Sequence, residues 1–112
     1  MDTSGAIAVA EAQAFDSWLV EHGAAEREVV LAVFKKASGK QTVTFDELLD
    51  VALCHGWIDV QGQKIDDERW AIRFTPRRPG GNWSERNRAR VRTLIEAGRM
   101  TPAGAAALPP DL

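Results

Sequence analysis

The run Thr44-Phe45-Asp46-Glu47-Leu48-Leu49-Asp50-Val51-Ala52-Leu53-Cys54-His55-Gly56-Trp57-Ile58-Asp59-Val60 holds a helix start, a helix stop and the opening of a strand. Thr44 stands three residues before Glu47, so its hydroxyl can accept from the Glu47 amide while the Glu47 carboxylate reaches back to the Thr44 amide. Val43 can staple onto Leu48 from outside the helix. Phe45, Leu48, Leu49 and Ala52 form the apolar stripe, His55 lies near it, and Gly56 supplies the stop. Beyond that stop, Trp57-Ile58-Asp59-Val60 and Trp70-Ala71-Ile72-Arg73-Phe74-Thr75 alternate as two strands of a hairpin. The alternation sets Ile58 and Val60 on one face with Trp70, Ile72 and Phe74. It sets Trp57 and Asp59 on the other beside Arg73 and Thr75, with an Asp59–Arg73 cross-strand pair. The loop from Gly62 to Asp67 does not fix the register.

Toward the N-terminus, Phe15, Trp18, Leu19 and His22 fall at helical spacing, with Gly23 expected as a left-handed cap. Residues 1–13 are expected to fray. Arg27 to Lys36, rich in valine, reads as a strand buried on both faces, followed by a turn at Ala37-Ser38-Gly39-Lys40. Toward the C-terminus, Pro76-Arg77-Arg78-Pro79-Gly80-Gly81-Asn82 is a bend. Ser84 then caps a helix with the stripe Val91, Leu94 and Ile95, ended by Gly98. At about 100° per residue, Arg88 and Arg92 lie on one flank of that stripe, Arg86 and Arg90 on the other, and Asn87 on the stripe itself. Thr101-Pro102 opens a short helix that Pro109-Pro110 ends. These elements make one α+β domain over residues 1–112, roughly α-β-α-β-β-α-α, with helices packed on a small antiparallel sheet.

The 112 residues carry a formal charge of −2, which hides a division. Residues 1–63 hold four basic and ten acidic side chains, residues 64–112 ten and six, so the halves are −6 and +4. Nine of the ten arginines lie between Arg69 and Arg99, a stretch without lysine. Guanidinium is a planar fork suited to carboxylate or phosphate, so this bias points to an anionic partner. The competing account pairs the arginines internally with Glu28, Asp46, Asp50 or Asp59. A single cysteine, Cys54, excludes an internal disulfide. The N-terminal residues lack a basic region of the signal-peptide kind and no apolar run approaches the roughly 20 residues that span a bilayer, so the expected location is cytoplasmic, without membrane insertion.

Three constellations are candidate sites. A phosphate could sit at the N-terminus of the Ser84 helix, with Arg77, Arg78 and Arg86 closing around it and Trp83 beside it, unless Glu85 already satisfies the helix end. The Asn87 amide, on an apolar stripe, needs partners, which the loop at Asn82 could supply; a ligand contact is the alternative. Trp57 and Asp59 could line a cleft beside Arg73, or be a core tryptophan and a strand-pairing aspartate. Cys54 and His55, adjacent on a helix, diverge by about 100° and cannot form a dyad. His22, His55 and Cys54 make no recognised metal set, and no glycine-rich nucleotide loop or serine elbow is present. No catalytic residue, metal or cofactor is expected.

Four pieces of the chain, taken in order, carry a family resemblance: Trp18-Leu19; Lys35-Lys36 with Ser38-Gly39; Ala52 to Asp59; and Arg73-Phe74-Thr75-Pro76-Arg77-Arg78-Pro79 through Trp83-Ser84, Asn87, Arg90 and Gly98-Arg99-Met100-Thr101-Pro102-Ala103-Gly104. Together they resemble the YdeI/OmpD-associated, or bacteriocin-protection, family over about Phe15 to Leu112. Two positions depart from its pattern: His55, where the family is usually aromatic, and Val60, where a glycine usually follows the aspartate. Members also tend to continue beyond a stretch like Pro109-Pro110-Asp111-Leu112, which makes this chain a short member or a piece of a longer protein. The resemblance implies a small α+β domain of the YjbR/CyaY-like kind and a setting of protection against bacteriocins or antimicrobial peptides. It implies no catalytic residues and no cofactor.

The expectation is therefore a non-enzymatic binding domain whose Arg/Trp-lined surface meets an anionic ligand or an acidic protein. Its candidate residues are Trp57, Asp59, Arg73, Arg77, Arg78, Trp83, Ser84, Arg86, Asn87 and Arg90. A nucleic-acid-binding module is the alternative, disfavoured by the net charge and a sequence pI near 5.6. An enzyme acting on a small molecule would need a cleft joining Trp57, Asp59 and Asn87.

Overall fold

The computed structural model describes residues 1–79 and 81–112. Its strands are β1 (Ile7–Ala8), β2 (Val29–Phe34), β3 (Trp57–Lys64) and β4 (Arg69–Pro76); its helices are α1 (Ala12–His22), α2 (Phe45–Cys54), α3 (Glu85–Glu96) and α4 (Pro102–Ala106), with a 3₁₀ turn at Lys36–Ser38. The sheet has the order β1-β2-β4-β3. β2 and β3 both pair antiparallel with β4, while β1 runs parallel to β2, with Ile7 opposite Leu31. The fold is α+β with a hairpin, as expected, but the sheet is mixed. The cause is the N-terminal segment: Ile7 and Ala8 add a fourth strand and Val9 is buried, so residues 7–9 are part of the fold and not a frayed end.

α2 is the hub. Thr44 and Glu47 form the full capping box, and Val43 and Leu48 belong to the same core cluster, as the staple requires. One side of α2 sends Leu48, Val51 and Ala52 toward Phe15, Leu19, Leu31, Trp57, Ile72 and Phe74. The other sends Leu49, Leu53 and Cys54 toward Trp83, Val91 and Leu94. Because both sides are covered, most of the helix circumference is apolar, and the expected stripe is too narrow. Phe45, counted in that stripe, is 44 % exposed. Ile95 on α3 is likewise 41 % exposed, leaving Val91 and Leu94 as that helix's buried residues.

Two further expectations change. Gly23 has φ −60 and is not a left-handed cap, whereas the stops at Gly56 and Gly98 have φ +77 and +72. On β2, Val29, Leu31 and Val33 enter the core, but of the residues between them only Ala32 is buried; Val30 and Phe34 are half-covered. Lys40 Nζ lies 4.8 Å from the Phe34 ring centroid and shields part of that second face.

The hairpin register also differs. A bulge between Asp59 and Gln61 leaves Val60 unpaired and 47 % exposed. Before the bulge Trp57 faces Pro76, Ile58 faces Thr75 and Asp59 faces Phe74; after it Gln61 faces Arg73 and Gly62 faces Ile72. The extra residue swaps the faces, so Ile58 turns toward the α3 cluster while Trp57 joins Phe74 in the core. Asp59 consequently does not meet Arg73.

α4 closes the C-terminal end of α2 through one carbonyl. The Thr101 amide and hydroxyl both donate to Cys54 O, at 3.0 and 2.6 Å. The approach is so close that a Cβ on Gly104 would lie 2.1 Å from that same oxygen and 2.6 Å from Met100 Sδ. Gly104→Ala is therefore expected to cost about 1–3 kcal/mol by overpacking. Gly5→Ala, which meets nothing within 4 Å, should stay within about 0.5 kcal/mol of the parent. Chemical denaturation of the two variants side by side checks the difference.

Candidate functional site

The arginine-rich half sorts by partner. Arg69 meets Asp66 at 2.9 Å, Arg73 meets Glu28 at 3.2 Å, and Arg88 meets Asp111 at 2.6 Å. Arg90 is shared by Asp46 at 3.1 Å and Asp50 at 2.7 Å. Of the acidic partners expected from the sequence, Glu28, Asp46 and Asp50 thus take an arginine and Asp59 does not. Among the described residues Arg77 takes no carboxylate: its guanidinium lies 3.9 Å from the Trp83 ring centroid and donates to the Asn82 carbonyl. Arg78, Arg86, Arg92 and Arg99 have no carboxylate in ion-pair range among the described residues.

Two of these four, Arg86 and Arg99, line one cleft of about 380 Å³ between α2 and α3, together with Arg90 and Asp50. Ala89 and Thr93 on α3, Ala97 just past its end and the buried Leu94 complete the lining with small and apolar side chains. Local folding rules set the three cationic positions. Arg86 and Arg90 are four apart on one flank of α3 and so project together. Arg99 follows the left-handed Gly98, and its amide donates back to Leu94 O at 3.1 Å, which folds the chain over the end of the helix. Arg90 is fixed from the far side. The Asp50 hydrogen bond, with further help from Asp46 and against the effect of burial, raises its pKa above the ordinary arginine value.

The remaining expected residues do not converge. Trp57 is only 2 % exposed, with Trp18 against it edge-on at 5.7 Å. Trp83 is 9 % exposed and lies beneath Arg77, where burial lowers the arginine pKa. The tryptophans therefore build the core and a stacking platform, and neither lines the arginine cleft. Ser84 accepts from the Asn87 amide at 3.1 Å, as an N-cap should. The Asn87 side chain makes no hydrogen bond among the described residues; Arg77, reaching Asn82 O, ties down the loop that Asn87 was expected to hold. With Arg77 withdrawn onto Trp83, the expected anion seat of Arg77, Arg78 and Arg86 around Ser84 is not assembled, and Arg78 is exposed. Gly80 of that bend lies outside the described residues. Neither Asp59 nor Asn87 lines the cleft that Trp57 borders. Cys54 is buried, which pushes its thiol pKa up and keeps it protonated. No group of three metal-ligating side chains is assembled among the described residues.

Sequence reasoning passed over Arg99 as a site residue and Asp50 as a cleft wall. A signal was present: Asp46 and Asp50 are four apart on α2, and Arg86 and Arg90 are four apart on α3, so two complementary stripes face each other.

The chain belongs to a family described as a domain of unknown function (DUF8412), whose model matches residues 7–107. No curated protein and no solved structure matches it. Among the described residues no helix is long and apolar enough to cross a membrane.

Two outcomes follow. Asp50→Asn weakens the hold on a half-buried guanidinium and is expected to lower stability by about 1–3 kcal/mol, measured by denaturant unfolding. The Arg88 hydrogen bond holds the Asp111 carboxyl below its ordinary value of 3.8. A depressed folded pKa means that this contact is fully present above the ordinary carboxylate value and is lost as pH falls through the lowered one. The Leu112 amide, which donates to Pro109 O, should therefore lose exchange protection on that acid limb, and Asp111→Asn should show the loss already at neutral pH.

Proposed function

We propose that this domain is a non-enzymatic binding module for a small anion, taken up in the cleft between α2 and α3 by Arg86 and Arg99. The observation that carries this reading is that these two guanidiniums have no carboxylate in ion-pair range among the described residues and yet border the same concavity as the anchored Arg90. Charge bookkeeping limits the ligand. Three arginines face two carboxylates, Asp46 and Asp50, which leaves a local surplus of one positive charge. Such a surplus suits one carboxylate or phosphate group and falls short of what a polyanionic backbone requires. The small and apolar lining of Ala89, Thr93, Leu94 and Ala97 favours a ligand whose charged group sits on a short apolar body. Because Arg90 is held by its own acid pair, it adds shape and field without having to be ordered on binding.

The likeness of the stretches around Ala52 to Asp59 and Arg73 to Gly104 to YdeI/OmpD-associated proteins supports a setting in stress or antimicrobial-peptide protection. In that setting the same cleft would receive an acidic group of a protein partner, for which a C-terminal carboxylate is the simplest form.

Calorimetric titration with phenyl phosphate and with inorganic phosphate tests the reading. Phenyl phosphate should bind more tightly than inorganic phosphate. Arg86→Gln and Arg99→Gln should each weaken it by about tenfold, the loss of one charge-assisted hydrogen bond, with thermal stability unchanged. Unaltered affinity in the double variant would remove the assignment. Binding of a single-stranded oligonucleotide that falls steeply with salt would favour the nucleic-acid alternative instead.

A further inference from the structure

A second cleft, of about 310 Å³, shares no lining residue with the arginine cleft. It lies between the C-terminal end of α1, the His55–Trp57 turn after α2, and the start of α4. Leu19 and Trp57, at 3 % and 2 % exposure, give it apolar walls. The Thr101 hydroxyl at its edge is already committed to Cys54 O. Apart from the indole N–H of Trp57, which can only donate, that leaves one polar side chain in the lining, His55.

His55 is set with care. Its side chain is 8 % exposed, and Nε2 lies 2.7 Å from Asp16 Oδ1 on α1. An ionised carboxylate only accepts, so Nε2 carries a proton, and in the neutral form of the ring Nδ1 is then a bare lone pair. Nδ1 has no hydrogen-bond partner among the described residues. An imidazole oriented from one side by a carboxylate keeps its other nitrogen free to accept from a ligand.

The surroundings select the complement. Gly23 and Ala24 bring the C-terminal end of an eleven-residue helix to the rim, where the helix dipole is negative. The Nδ1 lone pair calls for a hydrogen-bond donor, and because the start of the short α4 lies in the same lining, the opposed helix ends leave no strong field for an ion. The volume is at the lower end for ligand sites and admits a fragment-sized molecule but not a nucleotide.

We propose that this cleft binds a small uncharged apolar molecule carrying a single N–H or O–H group, which donates to His55 Nδ1. Asp16 is the positioning residue, since it sets the tautomer that makes Nδ1 an acceptor. The site goes beyond the anion reading and stands independently of it.

Indole and N-methylindole, which differ in the donor alone, are the probes. Each is titrated into the isotopically labelled full chain while the His55 ring nitrogens are followed by long-range nitrogen–proton NMR. Indole should give a saturable shift at Nδ1 with Nε2 remaining the protonated nitrogen, and N-methylindole should bind about tenfold more weakly. His55→Phe keeps an apolar wall and should equalise the two ligands, and Ala24→Trp should fill the cleft and abolish both. No saturable shift at His55, equal affinity of the two ligands for the parent protein, or a complex in which Nδ1 carries the proton would overturn the proposal. If His55→Phe does not fold, the comparison of the two ligands on the parent protein still decides.

Discussion

The Cys54 carbonyl, held by both the amide and the hydroxyl of Thr101, is the contact from which the two clefts of the molecule are arranged. It lies at the C-terminal end of α2, where a helix leaves carbonyls without partners, and it satisfies one of them with two donors from another element. The fit depends on Gly104, which lets α4 approach at backbone distance, and on the positive φ of Gly56, which turns the chain away into β3. Once α4 is seated, the segment from Gly98 to Thr101 is fixed at both ends. That segment carries Arg99 to the rim of the arginine cleft, and its continuation through Ala103 forms one side of the His55 cleft. One carbonyl therefore couples two concavities that share no lining residue.

Electrostatics divides the arginines into structural and available groups by reach. Arg73, Arg88 and Arg90 each bridge to an element distant in sequence, at Glu28, Asp111 and the Asp46/Asp50 pair. The Arg73 and Arg90 contacts draw the acidic N-terminal half and the basic C-terminal half together, while Arg88–Asp111 lies within the basic half. Exposed pairs of this kind contribute little individually; the Arg90 pairing, with side chains 19 % and 25 % exposed at its closer contact, is the one placed to matter. Arg86 and Arg99 are the remainder that also faces a concavity. The surplus is small, which is the ground for proposing one anionic group as the ligand and not a chain of phosphates.

Sequence reasoning located what local chemistry determines. The capping box at Thr44, the stops at Gly56 and Gly98, the Ser84 and Thr101 caps and the hairpin strands all follow from short-range rules. It failed where a distant partner decides. The two-residue β1 is too short to carry a periodic signal and exists only because β2 offers an edge. The bulge at Val60 is invisible to simple alternation, and it alone moves Trp57 into the core and parts Asp59 from Arg73. Candidate residues were legible as chemistry but not as geometry: Arg86 and Arg90 reach the cleft, whereas Trp83 and Arg77 pair with each other. Arg99 required knowing that the chain folds back over the end of α3, and the His55–Asp16 contact spans 39 positions that no motif connects.

The central claim is that Arg86 and Arg99 are the guanidiniums left over for a ligand. The most direct measurement follows the side-chain Nε–Hε resonances of all ten arginines by NMR while phenyl phosphate is added. The account predicts saturable shifts concentrated on Arg86 and Arg99, a smaller one on the anchored Arg90, and none on Arg69, Arg73 or Arg88. Shifts centred on Arg77 and Arg78, or spread evenly over the arginines without saturation, would contradict it.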